Sequence, residues 1–453
     1  MMGAMIRAPD PIWRNMSCQQ ALKGFKDGSR NAVDLVEDTL TSIDRCQREL
    51  NAFATIASGQ ALSDARASDK RYRQRKSRPL EGLPIAVKDI VDTKGIETRY
   101  GSPAFLEHVP IQDAEIVRRL RNAGAVIVGK TTTHEFAWGV TTSSSAFGNT
   151  LHPQQKLRIP GGSSGGGAAA VAYGAVPASI GTDTGGSVRI PAALCGTVGF
   201  KPTFNLLPSH GIFPLAPSLD HPGIVARSVE DAMLVADALG IGADRVDRHL
   251  TAAVIRTIAP VPLEQGVADA VDAALAALSK ELDLSEPDTK GVFDGAFEAF
   301  STIVLTEAGI VHFSRNSQAI IDARYGAETV ERLRQARKVT IDAYALAQSN
   351  RRALTCRLER LLEDFDFLLL ATCPCTAPFV GQEDVEIGHW KGSIREALMT
   401  YTAPFNLSGL PAISIPIPLQ DGMPVGLQIV ARRGRDASLL RFARHASDIL
   451  ALV

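Results

Sequence analysis

Between Gly161 and Ser187 the chain reads GGSSGGGAAAVAYGAVPASIGTDTGGS, two glycine turns that each carry a serine, joined through an alanine-rich stretch. Glycine lets several backbone amides turn toward one point, which no side-chain-bearing residue does as freely. The run Ala168, Ala169, Ala170, Val171, Ala172 predicts a closely packed helix, which argues against a flexible Gly/Ser linker. The chain must therefore fold so that both turns are held against a packed interior.

Far upstream, Lys88 ends the apolar run Pro84, Ile85, Ala86, Val87, which reads as a short buried strand. A buried cation is costly unless it is paired or neutral. At its reference pKa of about 10.4, a lysine is deprotonated only about once in a thousand near neutral pH. Burial lowers that pKa by up to about 3 to 5 units, and a neutral Lys88 could accept a proton. Taken alone, the more ordinary reading is a lysine at a strand end whose head snorkels to water.

Ser187 follows Thr184, Gly185 and Gly186, the outline of an oxyanion hole. Each backbone donor in such a hole is worth about 2.7 to 4 kcal/mol in the transition state of acyl transfer. Val188 to Leu194 predicts a short helix whose N-terminus adds favourable potential. An ordinary glycine turn with an exposed serine is the competing reading. Around Ser163, the residues Gly161 to Gly165 satisfy the GxSxG elbow of triad hydrolases, but that elbow needs a buried strand before the serine. Here the approach is HPQQKLRIP, polar and ended by Pro160. A phosphate loop would end in Gly-Lys-Ser/Thr, which is missing, and no serine is followed three places later by lysine.

These segments, with PLEGLPIAVKD, EFAWG, SSSAFG, GFKPT, GLPAISIPIP and GMPVGLQIVA, span most of the chain. Together they resemble the amidase signature family of serine hydrolases. The resemblance implies that Ser187 is the acyl-forming nucleophile, Ser163 the bridging serine and Lys88 the terminal base. It implies a cis peptide between Gly162 and Ser163, and an oxyanion hole from the amides of Thr184, Gly185, Gly186 and Ser187. It assigns supporting positions to Thr182, Ser164, Asp183 and Arg189, with the last two paired. It places the segment of His134, Phe136 and Trp138 near an acyl pocket. For Phe136 and Trp138, core packing competes with a role as an aromatic wall, and for His134 packing is favoured. The implied reaction needs no metal and no cofactor. The implied fold is α/β, one large mixed central β-sheet with helices on both faces.

With 453 residues, 45% hydrophobic and a formal net charge of -1, the chain is long enough for one large core or two domains. Near-neutral charge gives no general pull toward nucleic acid or an anionic membrane. The basic run from Lys70 to Arg78 reads as a solvated helix end. Six cysteines lack a disulfide-framework spacing, and the Cys373, Pro374, Cys375 triplet is too tight for a zinc knuckle, so reduced thiols are expected. None of the nine histidines forms a pair at helical ligand spacing. The opening MMGAMIRAPDPIW lacks a signal-peptide apolar core, and no apolar run reaches the roughly 18 residues of a membrane span. The cytoplasm is the expected compartment.

The pattern predicts amino-terminal helices over 17–27 and 31–49, within a helical region spanning 1–75, and strands over 52–56, 84–88 and 125–129. Residues 80–230 form the catalytic segment. A helix follows from Ser228 to Leu239, then a polar, irregular region over 241–295 as the best candidate boundary. A long helix over 334–364 leads into the strand FDFLLLA. The strands AISIPIP and VGLQIVA precede a terminal helix ending near Leu450. The whole is expected to be a single amidase domain, 1–453, with 241–400 supplying the walls that choose the substrate.

The expected function is hydrolysis of a small carboxylic amide, with a small-molecule partner and neither nucleic acid nor membrane. The alternatives are the glutamine-hydrolysing subunit of an amidotransferase that charges transfer RNA, and a non-catalytic amide- or partner-binding module. In such an amidotransferase, an acidic residue precedes the segment matching YTAPFNLSGLP, and Met399 stands there instead. The complete set of Lys88, Ser163 and Ser187 argues against the binding module. A homodimer is the commonest closed assembly, and a small helical accessory subunit stays open.

Overall fold

The computed structural model describes residues 10–242, 250–417 and 422–451. The amino-terminal stretch Met1 to Pro9 and some of the expected irregular region therefore lie outside the described residues. The first long helices form where the sequence provides both a cap and an apolar stripe. Ser17 and Gln20 make a reciprocal capping box at the start of Cys18–Asp27, which buries Cys18, Ala21, Leu22 and Phe25 at helical spacing. The Asn31 side chain accepts the Asp34 amide to start Ala32–Leu50, and left-handed Asn51 ends it.

The strands are, in chain order, β1 (Phe53–Ile56), β2 (Pro84–Lys88), β3 (Val126–Thr131), β4 (Ala178–Asp183), β5 (Val198–Lys201), β6 (His221–Ala226), β7 (Thr251–Val254), β8 (Asp283–Ser285), β9 (Phe367–Ala371), β10 (Asp384–Ile387), β11 (Trp390–Ser393), β12 (Ala412–Ile417) and β13 (Val425–Ala431). Eleven join one sheet in the order β1-β3-β2-β4-β6-β5-β12-β13-β9-β7-β8, and β10 with β11 form a separate hairpin. The sheet is mixed: β2 runs parallel to β3 and β4, whereas β6, β5, β12 and β13 pair antiparallel. Every residue of β2, β3, β4, β9 and β13 is buried. That is why these strands read as continuous apolar runs instead of alternating ones.

Two expected boundaries change. The described part of the region over 241–295 is more regular than expected, because it carries β7, the helix Gln265–Leu278 and β8, and both strands extend the same sheet. Its strands are short, and they enter the sheet only by long-range pairing, β7 with β9 and β8 with β7. The long helix over 334–364 is broken: Ala327–Ala336 ends, and Ile341–Asp364 restarts where the Thr340 side chain accepts the Ala343 amide. Among the described helices, Ala296–Phe313 alone is long and apolar enough to cross a membrane. It packs against both halves of that broken helix, as a core helix does.

The parallel pair β2 and β4 positions the chemistry. Their carboxyl ends lie side by side, with Val87 opposite Ile180, so Lys88 and the end of β4 face the same crevice. Open α/β sheets bind ligands at such strand ends. The helix Gly165–Tyr173 packs on β4, and its first turn sits so close to β3 that a methyl group on Gly166 would lie 2.2 Å from Thr132 Oγ1 and 2.6 Å from the Ala52 carbonyl oxygen. Helix propensity alone favours alanine over glycine by about 0.8 to 1 kcal/mol. Steric exclusion reverses the sign here, so Gly166→Ala is expected to lower the melting temperature; a rise in a thermal scan would contradict this packing.

Candidate active site

Lys88 does not snorkel. It is fully buried, and its Nζ donates to Ser163 Oγ at 2.7 Å and to Thr182 Oγ1 at 2.9 Å. Burial pushes its pKa down to about 7, opposed by the negative charges of Asp183 and Asp220. Two other buried lysines, unnoticed in the sequence, differ in their partners. Lys130 donates to the Val91 carbonyl and to Thr93 and Thr98, and Lys201 donates to the carbonyls of Pro202 and Leu410. Lys88 has only hydroxyl partners among the described residues, and one of them belongs to a glycine-turn serine.

The Gly162–Ser163 peptide is cis. Thr142 holds the turn around it, donating to the Gly161 carbonyl at 2.8 Å and accepting the Gly165 amide at 3.1 Å. The backbone of Val140 and Thr141 passes so near that a methyl group on Gly162 would lie 2.8 Å from it. Ser164 ties the two serine turns together. Its amide donates to the Ser187 carbonyl at 3.1 Å, and its hydroxyl donates to the Thr182 carbonyl at 3.2 Å.

The second turn is organised by Asp183. Its carboxylate accepts the amides of Gly186, Val188 and Arg189 and two bonds from the Arg189 guanidinium, at 3.0 and 2.8 Å. Both side chains are fully buried. The remaining Arg189 donors reach the Thr402 carbonyl, Gln428 Oε1 and Asn406 Oδ1. Arg189 and its hydrogen bonds overcome the cost of burial and hold the Asp183 carboxyl well below the usual carboxylate range. Because the Gly186 amide is committed to Asp183 at 2.8 Å, it is not free to bind an oxyanion as the sequence suggested. Among the described residues, no hydrogen-bond acceptor meets the amides of Thr184, Gly185 and Ser187. Those three are the open donors. Gly186 adopts φ 124°, and its turn is pinned from the other side by Thr402, whose Oγ1 donates to the Gly185 carbonyl at 2.6 Å.

Ser187 is only 2% exposed. The expected aromatic wall is elsewhere: Phe136 and Trp138 are buried, and Phe136 packs among Phe105, Phe213, His312 and Tyr325. Alternating aromatics in a loop read equally as wall or core, and packing decided for core. The ring against the second glycine turn is Phe300, whose tip a methyl group on Gly185 would overlap. His134 is buried and bonded to Glu328 at 3.0 Å, on the wall of a cleft of about 950 Å³ with Glu135, Ser143 to Ser145 and Tyr325. Asp220, which accepts the Thr184 hydroxyl at 2.6 Å, was also missed. So were Thr142, Thr402, Asn406 and Gln428; for the last three the one sequence signal is a polar residue in a largely apolar stretch, and Thr142 is hidden in the polar run TTSSS.

The Amidase family profile matches residues 34–440. AtzE of Pseudomonas sp. (strain ADP), which belongs to 1-carboxybiuret hydrolase, is 34% identical over 96% of this chain and 98% of its own. A glutamyl-tRNA(Gln) amidotransferase subunit from Symbiobacterium thermophilum is also 34% identical, over 92% and 93%. A crystal structure of an amidase superposes with a TM-score of 0.90 at 34% identity, covering 96% of this chain and 100% of that one. The 6-aminohexanoate cyclic dimer hydrolase superposes with a TM-score of 0.84 at 29% identity, over 96% and 97%. The chain belongs to the Amidase family, hydrolases of amide carbon–nitrogen bonds.

Removing one partner of a buried ion pair leaves an uncompensated charge, at a cost of about 3 to 5 kcal/mol. Arg189→Met, close in volume, is expected to lose about that much in urea unfolding because Asp183 is stranded. A loss below about 1 kcal/mol, typical of a surface pair, would show that the pair does not hold the turn.

Proposed function

We propose that the chain hydrolyses a small carboxylic amide to acid and ammonia or amine through an acyl-enzyme on Ser187. The observation that carries this is the 2.7 Å bond from a buried Lys88, pushed down to about 7, to the hydroxyl of Ser163. Neutral Lys88 draws a proton from Ser163, which draws one from Ser187, and Ser187 attacks the amide carbonyl. The tetrahedral oxygen lies against the amides of Thr184, Gly185 and Ser187. The relay then reverses. Protonation through Ser163 releases the amine, and water, activated along the same route, cleaves the ester.

The glutamine-dependent reading is weaker, although amidotransferase subunits stand as near in sequence as the hydrolases do. The position given to an acidic residue is Met399, 6% exposed, on the wall of a cleft of about 250 Å³ with Phe297 and Pro404. The Met399 side chain offers no counter-charge to an amino group, and the carboxylates on that cleft, Asp294, Glu298 and Glu396, stand at other positions. Lys88, Ser163 and Ser187 are all present and buried, against a non-catalytic module. The single sheet through β7 and β8 favours one amidase domain, and the reading fits a cytoplasmic enzyme. Two relatives are named as subunits, so a small accessory chain or a homodimer belongs to the same proposal.

The test is ammonia release by the purified protein across aliphatic, aromatic, indole and ureido amides plus glutamine, with Ser187→Ala as control. Turnover of a simple amide that Ser187→Ala abolishes is expected; release from glutamine alone would favour the amidotransferase. Lys88→Ala is expected to lower kcat by about 10²- to 10⁴-fold, the range of general base catalysis. Since the neutral amine is the base, kcat/KM of the parent should rise as pH passes through about 7 and level off above it. A profile flat across that rise, or a Lys88→Ala variant that keeps most of its activity, would sink the relay.

A further inference from the structure

Three amides of the second glycine turn are open, and two of them are held through the carbonyl of the same peptide. In a trans peptide the carbonyl and the amide point in opposite directions, so a bond to one orients the other. The Asp183 carbonyl accepts Asn406 Nδ2 at 2.8 Å, which aims the Thr184 amide the other way. The Gly186 carbonyl accepts the Ile190 amide at 2.7 Å, which does the same for the Ser187 amide. The third amide, of Gly185, shares its peptide with the Thr184 carbonyl, which accepts no hydrogen bond among the described residues. Its direction depends on how Thr184 itself is held.

Asp220 supplies that hold. Its Oδ1 accepts the Thr184 hydroxyl at 2.6 Å, and the same carboxylate accepts the amides of Leu215 at 2.9 Å and of Ala216 at 3.1 and 3.2 Å. The loop that carries it is clamped two residues earlier: Glu307 accepts the amide and hydroxyl of Ser218 at 2.9 and 2.6 Å, and Arg351 donates to the Ser218 carbonyl at 2.9 Å. Asp220 and Thr182, the second hydroxyl on Lys88, line one cleft of about 290 Å³, on which His210, His221 and Arg315 are the other titratable groups. The carboxylate thus stands between the turn and the amine. Its negative charge and that of Asp183 both favour the protonated form of Lys88. Burial, helped by the charge of Glu307, pushes Asp220 itself up to about 6 against the bonds from Thr184, Ala216 and Leu215, so it is mainly ionised at pH 7 and above.

We infer that Asp220 is a positioning residue for both halves of the reaction: through the Thr184 hydroxyl it orients the amides that meet the oxyanion, and its carboxylate sets the electric field at Lys88. The inference rests on the hydrolase reading above and adds a residue outside the relay. A reacting group displaced by about 1 Å loses about 10²-fold in rate. Here the loss falls on the transition state, because the oxyanion exists only there. The charge gives a separate signature. Removing a negative charge beside an amine makes it easier to deprotonate, so the rise of activity with pH moves to lower pH.

The experiment follows two readouts in the parent, Thr184→Val, Thr184→Ser and Asp220→Asn. One is the rate at which Ser187 Oγ displaces fluoride from a fluorophosphonate, read by intact mass across pH. The other is turnover of whichever amide of the panel above the parent hydrolyses fastest. Phosphonylation sets a phosphoryl oxygen against the same amides, so it reads them before the substrate is known. Thr184→Val should slow both readouts by about 10- to 100-fold, in turnover through kcat with KM held, and Thr184→Ser should recover most of the loss. Asp220→Asn leaves a single oxygen for three donors, so it should be slowed too, and its rise should fall at a lower pH than the parent's. Thr184→Val at the parent rate, or an Asp220→Asn profile that rises where the parent's does, would overturn the assignment. Should Asp220→Asn fail to fold, the Thr184 variants decide: loss in Val with recovery in Ser supports the inference, and equal rates in both overturn it. A parent labelled at Ser187 whose variants keep its rate retains the hydrolase and rejects this inference alone. A parent neither labelled nor active on any amide refutes the hydrolase reading and this inference with it.

Discussion

The fully buried pair of Asp183 and Arg189 is the interaction on which the rest of the site depends. Asp183 ends β4 and by itself would point a bare charge into the core. Its oxygens instead gather the amides of Gly186, Val188 and Arg189, so the carboxylate shapes the turn that follows it. Arg189 then directs its other donors to Thr402, Asn406 and Gln428, residues far along the chain. One ion pair thus fastens the second glycine turn to the carboxyl-terminal part of the chain: the turn at Thr402, the short helix Pro404–Leu407 and β13. Buried pairs are poor sources of net stability; what this one supplies is a fixed geometry.

The proposed relay asks Lys88 to be both buried and uncharged. A lysine in an apolar interior loses its proton unless a counter-charge holds it, and near Lys88 the aspartates are close enough to oppose the shift without cancelling it. A carboxylate at ion-pair distance would restore the charge and remove the base. The two hydroxyl partners satisfy the amine and leave its basicity in the working range. Lys201 shows the contrast: it too is pushed well down by burial, yet its partners are carbonyl oxygens, and carbonyls have no proton to give.

Much of this was legible in the sequence because the segments involved are local. The strand ending in Lys88, the helix after Gly165 and the turn at Thr184 to Ser187 each depend on neighbouring residues, and the amino-terminal helices announce themselves through caps and apolar spacing. What escaped depends on distance along the chain. Asn406, Gln428 and Thr402 look like stray polar residues in apolar runs until tertiary structure brings Arg189 to them. β7 and β8 are too short to be recognised apart from β9, which pairs with β7. The commitment of the Gly186 amide to Asp183 could not be read either, since a glycine turn states that amides can converge and not which of them remain free.

In the proposed function the same distance separates chemistry from selection. Lys88, Ser163, Ser187 and the open amides all come from residues 88 to 187, at the carboxyl ends of β2 and β4. The groups that press on the second glycine turn from outside, Phe300 and Thr402, come from the helix Ala296–Phe313 and from the turn between Ile394–Thr400 and Pro404–Leu407. A relay needs its atoms within hydrogen-bond reach and tolerates little change. A wall made by a separate stretch of the chain can exchange one side chain for another while the turn keeps its shape, because the Asp183 and Arg189 pair, not the wall, holds it. On that proposal specificity can vary without disturbing catalysis, provided the substitutions stay clear of Thr402, which belongs to both: it bonds the turn and lies on the outer segment.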